Sequence, residues 1–420
     1  MKQSFIFVLF ALIVCVPAFA EDTNIYSWER CVQTAMEFNP QLLSSKETVE
    51  ASKASKGSSR AGMLPNVSAS ASAGRSGGSG SANNNFSYGL NANQLIFDGL
   101  KSYYNLKSAD ANIENSMYNY RITSANIRLE LKTAFINLLK AQSLVGINED
   151  IVKRRKHVMD LVRMRYNAGS EHRGSWYSAR ADYLAASASL ASAKRDIDLA
   201  RRSLCFIMGI DGASNISVRG DIHAAVAYSG QPDFSSLAEG SPTYLRSAAQ
   251  LKSSELSLSA SKAAFSPTVR GSGSIARSGE ELRDMRTNWS LGLNVNAPLF
   301  SGGETWYGYK RAQAEYHQAV LNQKQTKNDV MQTMEKNWNN LLTSIENVTV
   351  QKANLEAYTE RSKIGEAQYS IGTLSFDNWT IIENNLSNAQ KSYLEACASA
   401  LTSEAQWINS HGGTLENEAQ

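Results

Sequence analysis

"QLIFDGLKSYYNLKSA" (residues 94–109) decides the fold. Its first residues close a strand-like alternation at Phe97-Asp98-Gly99, and a helical pattern starts at once, with no loop between. "APLFSGGETWYGYKRA" (297–312) repeats the handover at Phe300-Ser301-Gly302. Phe97 and Phe300 lie 203 residues apart, as do Gly99 and Gly302, Tyr166 and Tyr369, and Gly169 and Gly372. Asn39-Pro40 with Ser241-Pro242, and Pro65 with Pro267, keep this step to within one position. Six landmarks in register mark two copies of one unit.

Each copy opens with a helix, about 41–62 and 243–264, that stops ahead of a proline, whose ring disfavours helix in the residue before it. Strands are expected at about 66–75 with 86–97 and at 268–277 with 288–299, separated by turn-rich loops at 74–85 and 277–286. No proline interrupts Lys101 to Tyr166, a helix of roughly 100 Å at 1.5 Å per residue, with Gly146 and Asn148 as a candidate break. A Gly-containing turn and a return helix (175–204 and 377–408) complete the unit. The expected organisation is an export signal at 1–20, a first repeat at 21–207, a Gly-, Ser- and Asp-rich linker at 208–240, a second repeat at 241–410 and a tail at 411–420.

In the last strand Trp289, Leu291, Leu293, Val295, Ala297 and Leu299 alternate with Asn288, Ser290, Gly292, Asn294 and Asn296. Successive side chains point to opposite faces of a strand, so one face is apolar and the other polar. In the first copy Phe86, Tyr88, Leu90, Ala92 and Ile96 stand against Ser87, Gly89, Asn91, Asn93 and Leu95, with Gln94 and Leu95 as blemishes. A soluble sandwich strand alternates in the same way. Here, however, the polar face is Asn, Ser and Gly with hardly a charge, which suits a water-filled lumen. Aromatics also gather at one end of the apolar face, as in an interfacial girdle. The span from Phe86 to Phe97 suffices for a tilted membrane strand, which needs about 9–11 residues. Four strands cannot close a barrel, and an open edge is not tolerated in hydrocarbon. Membrane-spanning strands therefore predict an obligate oligomer with Phe86, Tyr88, Leu90, Trp289, Leu291, Leu293 and Val295 facing lipid.

The first long helix carries a seam of period near 3.5: Leu106, Ala109, Ile113, Met117, Tyr120, Ser124, Ile127, Leu131, Ala134, Leu138, Ala141 and Val145. Ser124 is its one polar rung. The second copy is looser, with Gln323, Lys327, Asn337 and Ser344 among its rungs, and Gln323, Lys327 and Asn337 are expected to face a wet surface. Alanines at 179, 181, 185, 186, 188, 191 and 193 spread around the return helix and predict neighbours on more than one side. Strand pairs and helical hairpins then divide the work of barrel and tube, with Phe97, Gly99, Phe300 and Gly302 at the joints, where glycine lets the backbone bend.

Bulk properties agree. Lys2, the apolar run Phe5 to Val16 and Ala18-Phe19-Ala20 before Glu21 form a secretory signal. Cleavage after Ala20 is expected in preference to lipidation at Cys15, since Val14 stands where a small residue is wanted. Basic and acidic residues nearly balance, 42 against 39, so no nucleic-acid partner is indicated. Cys31, Cys205 and Cys397 read as packing residues rather than a disulfide framework. No later stretch offers the roughly 18 uninterrupted apolar residues of a membrane helix.

The Asn39-Pro40 opening, the strand ends "LIFDG" and "PLFSG", and the turns "RYNAGS" (165–170) and "YSIGT" (369–373) resemble the TolC family of outer-membrane factors. The resemblance covers nearly the whole chain after the signal. It implies an α+β fold: a homotrimeric outer-membrane β-barrel, four strands per chain, continued by a long periplasmic α-helical barrel. It also implies a passive exit duct in a Gram-negative envelope, opened by a periplasmic adaptor and an inner-membrane transporter of RND or ABC type. Adaptor contact is carried onto the tip residues Tyr166, Gly169, Ser170, Tyr369, Gly372 and Thr373. The family often has an acidic ring after the second tip, but Asn378 and Ile381 occupy the matching positions here. Arg173, Arg180, Asp377 and Glu383 remain as gate candidates, Asp377 also as a helix N-cap, and Arg173, Arg180 and Glu171 as tip salt bridges.

"GSGSIA" (271–276) fits a loose dinucleotide pattern inside a strand, without the βαβ unit that binding needs. Histidines 157, 172, 223, 317 and 411 show no metal-ligand spacing. No cofactor and no enzymatic activity are expected. The alternative to a duct is a soluble periplasmic coiled-coil scaffold or adhesion protein with its strands packed as a sandwich.

Overall fold

The computed structural model describes residues 25–78, 81–210, 216–223 and 230–418; the expected export signal at 1–20, with Cys15, lies outside them. The chain runs β1 (Ile25–Tyr26), α1 (Trp28–Phe38), α2 (Pro40–Ala61), β2 (Asn66–Gly78), β3 (Ser81–Phe97), α3 (Lys101–Asn167) and α4 (Arg173–Met208). It continues with β4 (Ser217–Val218), α5 (Phe234–Gly240), α6 (Pro242–Ala263), β5 (Thr268–Gly279), β6 (Arg286–Asn296), α7 (Glu304–Ser370) and α8 (Phe376–Ser410).

Both copies start helices alike. Asn39 and Ser241 cap α2 and α6 by accepting from the backbone N–H groups of Leu42 and Tyr244, and a proline follows as the first helical residue, where its missing N–H costs nothing. Both long helices contain 67 residues, about 100 Å each. The candidate break at Gly146 and Asn148 is absent: α3 runs through both, and buried Asn148 donates its side-chain amide to Leu144 O one turn back.

The four barrel-type strands form one antiparallel sheet in the order β2-β3-β5-β6. Its outline corrects the expected one in two places. Most of 74–85 is strand rather than loop, paired from Asn66↔Asn93 to Gly78↔Ser81, since a hairpin twist is satisfied by small polar residues. At the other end β6 stops at Asn296 instead of Leu299, because Pro298 lacks a donor for the ladder and restricts Ala297 before it.

Half-way along the helices lies the main core. It joins α1, α3, α4 and α8 through Val32, Ile127, Leu131, Phe135, Leu138, Leu204, Leu394 and Leu401. The described parts of the linker and tail pack onto this belt. Ser217–Val218 pairs in parallel with Ile25–Tyr26, and α5 packs Phe234 against Trp407 and Trp338. Lys327 and Asn337, expected at a wet surface, bond to Glu239 of α5 and to Gln406 O. Among the described residues no helix is long and apolar enough to cross a membrane.

Candidate functional site

Register and alternation place Val67, Ala69, Ala71, Phe86, Tyr88, Leu90, Ile275, Trp289, Leu291, Leu293 and Val295 on one face of the sheet. Among the described residues no helix covers that face: Leu291 is 83% exposed and Trp289 75%. The opposite face is a hydroxyl and amide ladder. Ser72 bonds Ser87 at 2.7 Å, Asn91 donates to Ser70 at 3.3 Å, Ser274 bonds Ser290 at 2.8 Å and Asn288 donates to Ser278 at 3.1 Å. Polar side chains thus bond to one another across strands and still offer groups to water.

The blemish at Gln94 and Leu95 marks a β-bulge between Leu95 and Phe97. The extra residue re-aims the strand end, and Gln94 Nε2 reaches back to Met63 O at 2.8 Å, below the end of α2. Directly beyond it the strand becomes helix. Gly99 has φ +69°, and a Cβ there would lie 2.3 Å from Ser266 Cβ, so conformation and packing both demand glycine. Asp98 then accepts from Ser102 N at 2.9 Å, satisfying an orphan donor of the new helix. In the second copy Gly302 and Gly303 take φ +63° and +89°, while Leu100, matching Gly303, holds φ 71° as the one non-glycine residue at positive φ among those described. Phe97 and Phe300 are exposed at the two joints, Phe300 at 90%.

At the far end the two hairpin tips close by the same bonds. Ser170 N donates to Arg165 O at 2.9 Å and Thr373 N to Gln368 O at 3.0 Å. The hydroxyls of Ser170 and Thr373 donate to those same carbonyls at 3.1 Å. Gly169 and Gly372 sit at φ +75° and +84°, the left-handed position of a Schellman turn.

Tyr369 corrects its expected role. Only 1% exposed, it offers no contact surface to a partner. It stacks on Trp379 at 4.3 Å, lies under the Arg165 guanidinium at 4.5 Å, and donates to Glu171 Oε2 at 3.2 Å. Burial, then Glu171, pushes its phenol up from the ordinary range, so it remains a donor. Arg165 also donates to Ser370 O at 3.2 Å. These contacts join the first tip of the chain to the second. Tyr166 stacks on Trp176 at 5.8 Å.

The gate candidates do not converge. Glu383 is buried, accepts from Ser362 Oγ and lies 3.4 Å from Arg154 Nε, inside the subunit. Asp377 is exposed in the first turn of α8, whose N-cap is Ser375 and not Asp377. Arg173 donates to Tyr177 Oη at 2.7 Å, and the expected salt bridges of Arg173, Arg180 and Glu171 do not form among the described residues. Glu171 instead accepts from Tyr369 Oη at 3.2 Å.

Sequence reasoning missed Arg165, Trp176 and Trp379 at the tips and a clasp in the belt. There Glu416 accepts from Tyr120 and Ser124, both at 2.7 Å, and Glu418 from Trp28 Nε1 at 2.8 Å and from Arg128. Burial raises both carboxyls, but the hydrogen bonds together, and for Glu418 the adjacent Arg128 and Lys132, bring them below the ordinary range. The signal was Ser124: a single polar rung in an apolar seam is a buried polar group that needs a partner.

A family profile described as "Outer membrane efflux protein" matches residues 31–210 and 234–413. Outer membrane efflux protein BepC of Brucella suis biovar 1 (strain 1330) is 22% identical over 262 residues, 60% of this chain and 56% of that protein. Outer membrane protein TolC of Escherichia coli (strain K12) is 24% identical over 406 residues, 92% of this chain and 82% of that protein. The open-state structure of the MtrE outer membrane channel of Neisseria gonorrhoeae superposes with a TM-score of 0.83 at 18% identity, covering 93% of this chain and 90% of that one.

Proposed function

Since the chain belongs to the outer membrane efflux protein family, we propose that it is the passive exit duct of a tripartite efflux pump or type I secretion system. Three copies close a twelve-strand barrel through their β2 and β6 edges, and their helical hairpins continue it as a periplasmic tube. An adaptor engages the tips at Tyr166, Gly169, Ser170, Gly372 and Thr373, and an inner-membrane transporter of RND or ABC type supplies energy and cargo. The chain itself catalyses nothing: its polar face gives water a continuous wet path, and its apolar face holds that path in the membrane.

One observation carries this reading. Among the described residues the sheet leaves β2 and β6 unpaired at its edges, wears apolar side chains on an uncovered face, and leads through short turns at Gly99 and at Gly302-Gly303 into helices of about 100 Å. Such a sheet is stable in lipid only when its edges are paired. The scaffold alternative needs Leu291 and Leu293 packed against protein, and they are bare.

Reconstitution in planar bilayers, with chemical cross-linking of the detergent-extracted protein, tests the proposal. Trimers and discrete conductance steps are expected. A monomer that stays soluble without detergent and forms no pores would sink it.

A further inference from the structure

Charge on the outward face of the sheet is sparse and uneven. Outward positions run from Val67 to Arg75 on β2, Asn84 to Gln94 on β3, Val269 to Gly279 on β5 and Thr287 to Val295 on β6. Only Arg75 and Arg277 among them are charged, and both lie toward the hairpin ends. Arg277 is level with Tyr88 and Thr287, eight residues from the Val269–Val295 pair at the helix end. At about 3.3 Å per residue and a tilt near 40° that is a rise of roughly 20 Å, against an apolar band about 25 Å tall. Arg277 therefore stands at the outer rim of the band. Arg75, four residues beyond the Ala71 that pairs with Tyr88, stands higher still.

Both arginines are exposed, and no ion pair among the described residues includes either. Arg277 Nη2 donates to Met285 O at 3.1 Å, which orients the guanidinium and leaves its other donors outward. The turn beyond is nearly neutral, with Glu280, Glu281 and Asp284 near Arg283 and Arg286 in sequence. Beside Arg277 runs a groove of about 620 Å³, lined by Ala69, Ala71, Tyr88, Leu90 and Ile275.

We propose that this patch binds a phosphorylated, multiply acylated glycolipid of the outer leaflet, one acyl chain in the groove and two phosphates on Arg277 and Arg75. A guanidinium forks two N–H groups onto a phosphate, which suits an interface where the alternative is a hydrocarbon-facing charge. Two anchors favour a headgroup with two phosphates. The two Cα positions are four residues apart along the strands and two strands apart across them, about 16 Å in all. Two phosphates on one sugar headgroup give each guanidinium a partner of its own without either side chain bending toward the other. The assignment rests on the sheet being part of an outer-membrane barrel.

The full-length protein and an Arg75→Gln/Arg277→Gln variant, extracted in mild detergent, are incubated with bis-phosphorylated lipid A, its dephosphorylated form or phosphatidylglycerol. Bound lipid is read by native mass spectrometry. The wild type should retain lipid A at least tenfold better than the double variant does, and at least tenfold better than it retains either control lipid. An Arg270→Gln variant, altered on the polar face, should match the wild type. Equal retention by the double variant, or equal binding of the dephosphorylated lipid, overturns the site. Phosphatidylglycerol held as tightly as lipid A overturns the two-phosphate headgroup. Failure of the barrel reading is a separate result: no trimer is extracted from wild-type membranes at all.

Discussion

Replacing Leu291 by arginine tests the central geometry. Leu291 is 83% exposed on the isolated chain and lies opposite Gly273, four residues from Val295 below and four from Thr287 above. Four residues rise about 10 Å at the tilt of a barrel strand, so Leu291 stands near the middle of the apolar band. An arginine at that depth costs about 2–4 kcal/mol per copy, hence about 6–12 kcal/mol for three copies in one barrel. That is comparable with the entire folding stability of an ordinary domain. Unheated gels and membrane flotation should show the trimer band lost and the chain absent from the outer-membrane fraction. An Asn294→Glu variant puts a charge one strand face away, opposite Arg270. It should assemble normally and shift the pore toward cations in bilayer recordings. Equal assembly of both variants, or equal loss of both, would refute the assignment of faces.

Tyr369→Phe deletes the bond to Glu171, worth up to about 2 kcal/mol for a partly buried bond to a charged group; if that contact holds the two tips together, bilayer recordings should show the variant open more often, and unchanged open probability would count against the idea. Gly372→Leu forces a side chain to φ +84°, costing about 1–2 kcal/mol at the tip; trimers should persist while export fails, and normal export would remove the tip from the mechanism. The clasp should be acid-sensitive. Glu416 and Glu418 titrate below the ordinary carboxylate range when folded, so their contribution is present above that range and is lost as pH falls through the lower folded values. A fluorotryptophan signal at Trp28 should move over that range, and in Glu418→Gln it should already sit at the acid position at neutral pH.

Periodicity and punctuation made the scaffold legible. Pro40 and Pro242 start helices, Gly169 and Gly372 end them, and alternation from Phe86 to Gln94 assigns faces, because each depends on one residue and its immediate neighbours. The hairpin register was less visible: Ser, Ala and Asn at 81–85 read equally as turn or as strand, and pairing with β2 decides. Least visible were contacts whose partners lie far apart in sequence. Glu171 and Tyr369 are separated by 198 residues and Trp28 and Glu418 by 390, so no local pattern announces them. Glu383 misled for a related reason: an acidic residue close after the tip is oriented by helix phase, and that phase turns it toward Arg154.

The two copies are alike in plan and unequal in burial, and the inequality bears on assembly. Helix α3 buries sixteen of its 67 residues and α7 only eight. The first sits at the centre of the subunit, against α2, α4, α6 and α8; the second has α5, α6 and α8 along one side. Left bare on α7 are Leu321, Val350 and Ile364, and on α4 Leu184, Leu199 and Phe206, the last 83% exposed. Along α4 the alanines at 179, 186 and 193 are buried in steps of seven, while Ala181, Ala185, Ala188 and Ala191 face outward. A seven-residue step keeps one seam against one neighbour, so the outward alanines provide a second, closely approachable seam. In a ring of identical chains the α7 side of one copy meets the α4 side of the next. The contact is heterologous, and a heterologous contact closes only as a ring. In the proposed trimer, the rotation that brings these helix faces together would also bring β6 of one copy to β2 of its neighbour, so barrel and tube would be sealed by a single act of assembly.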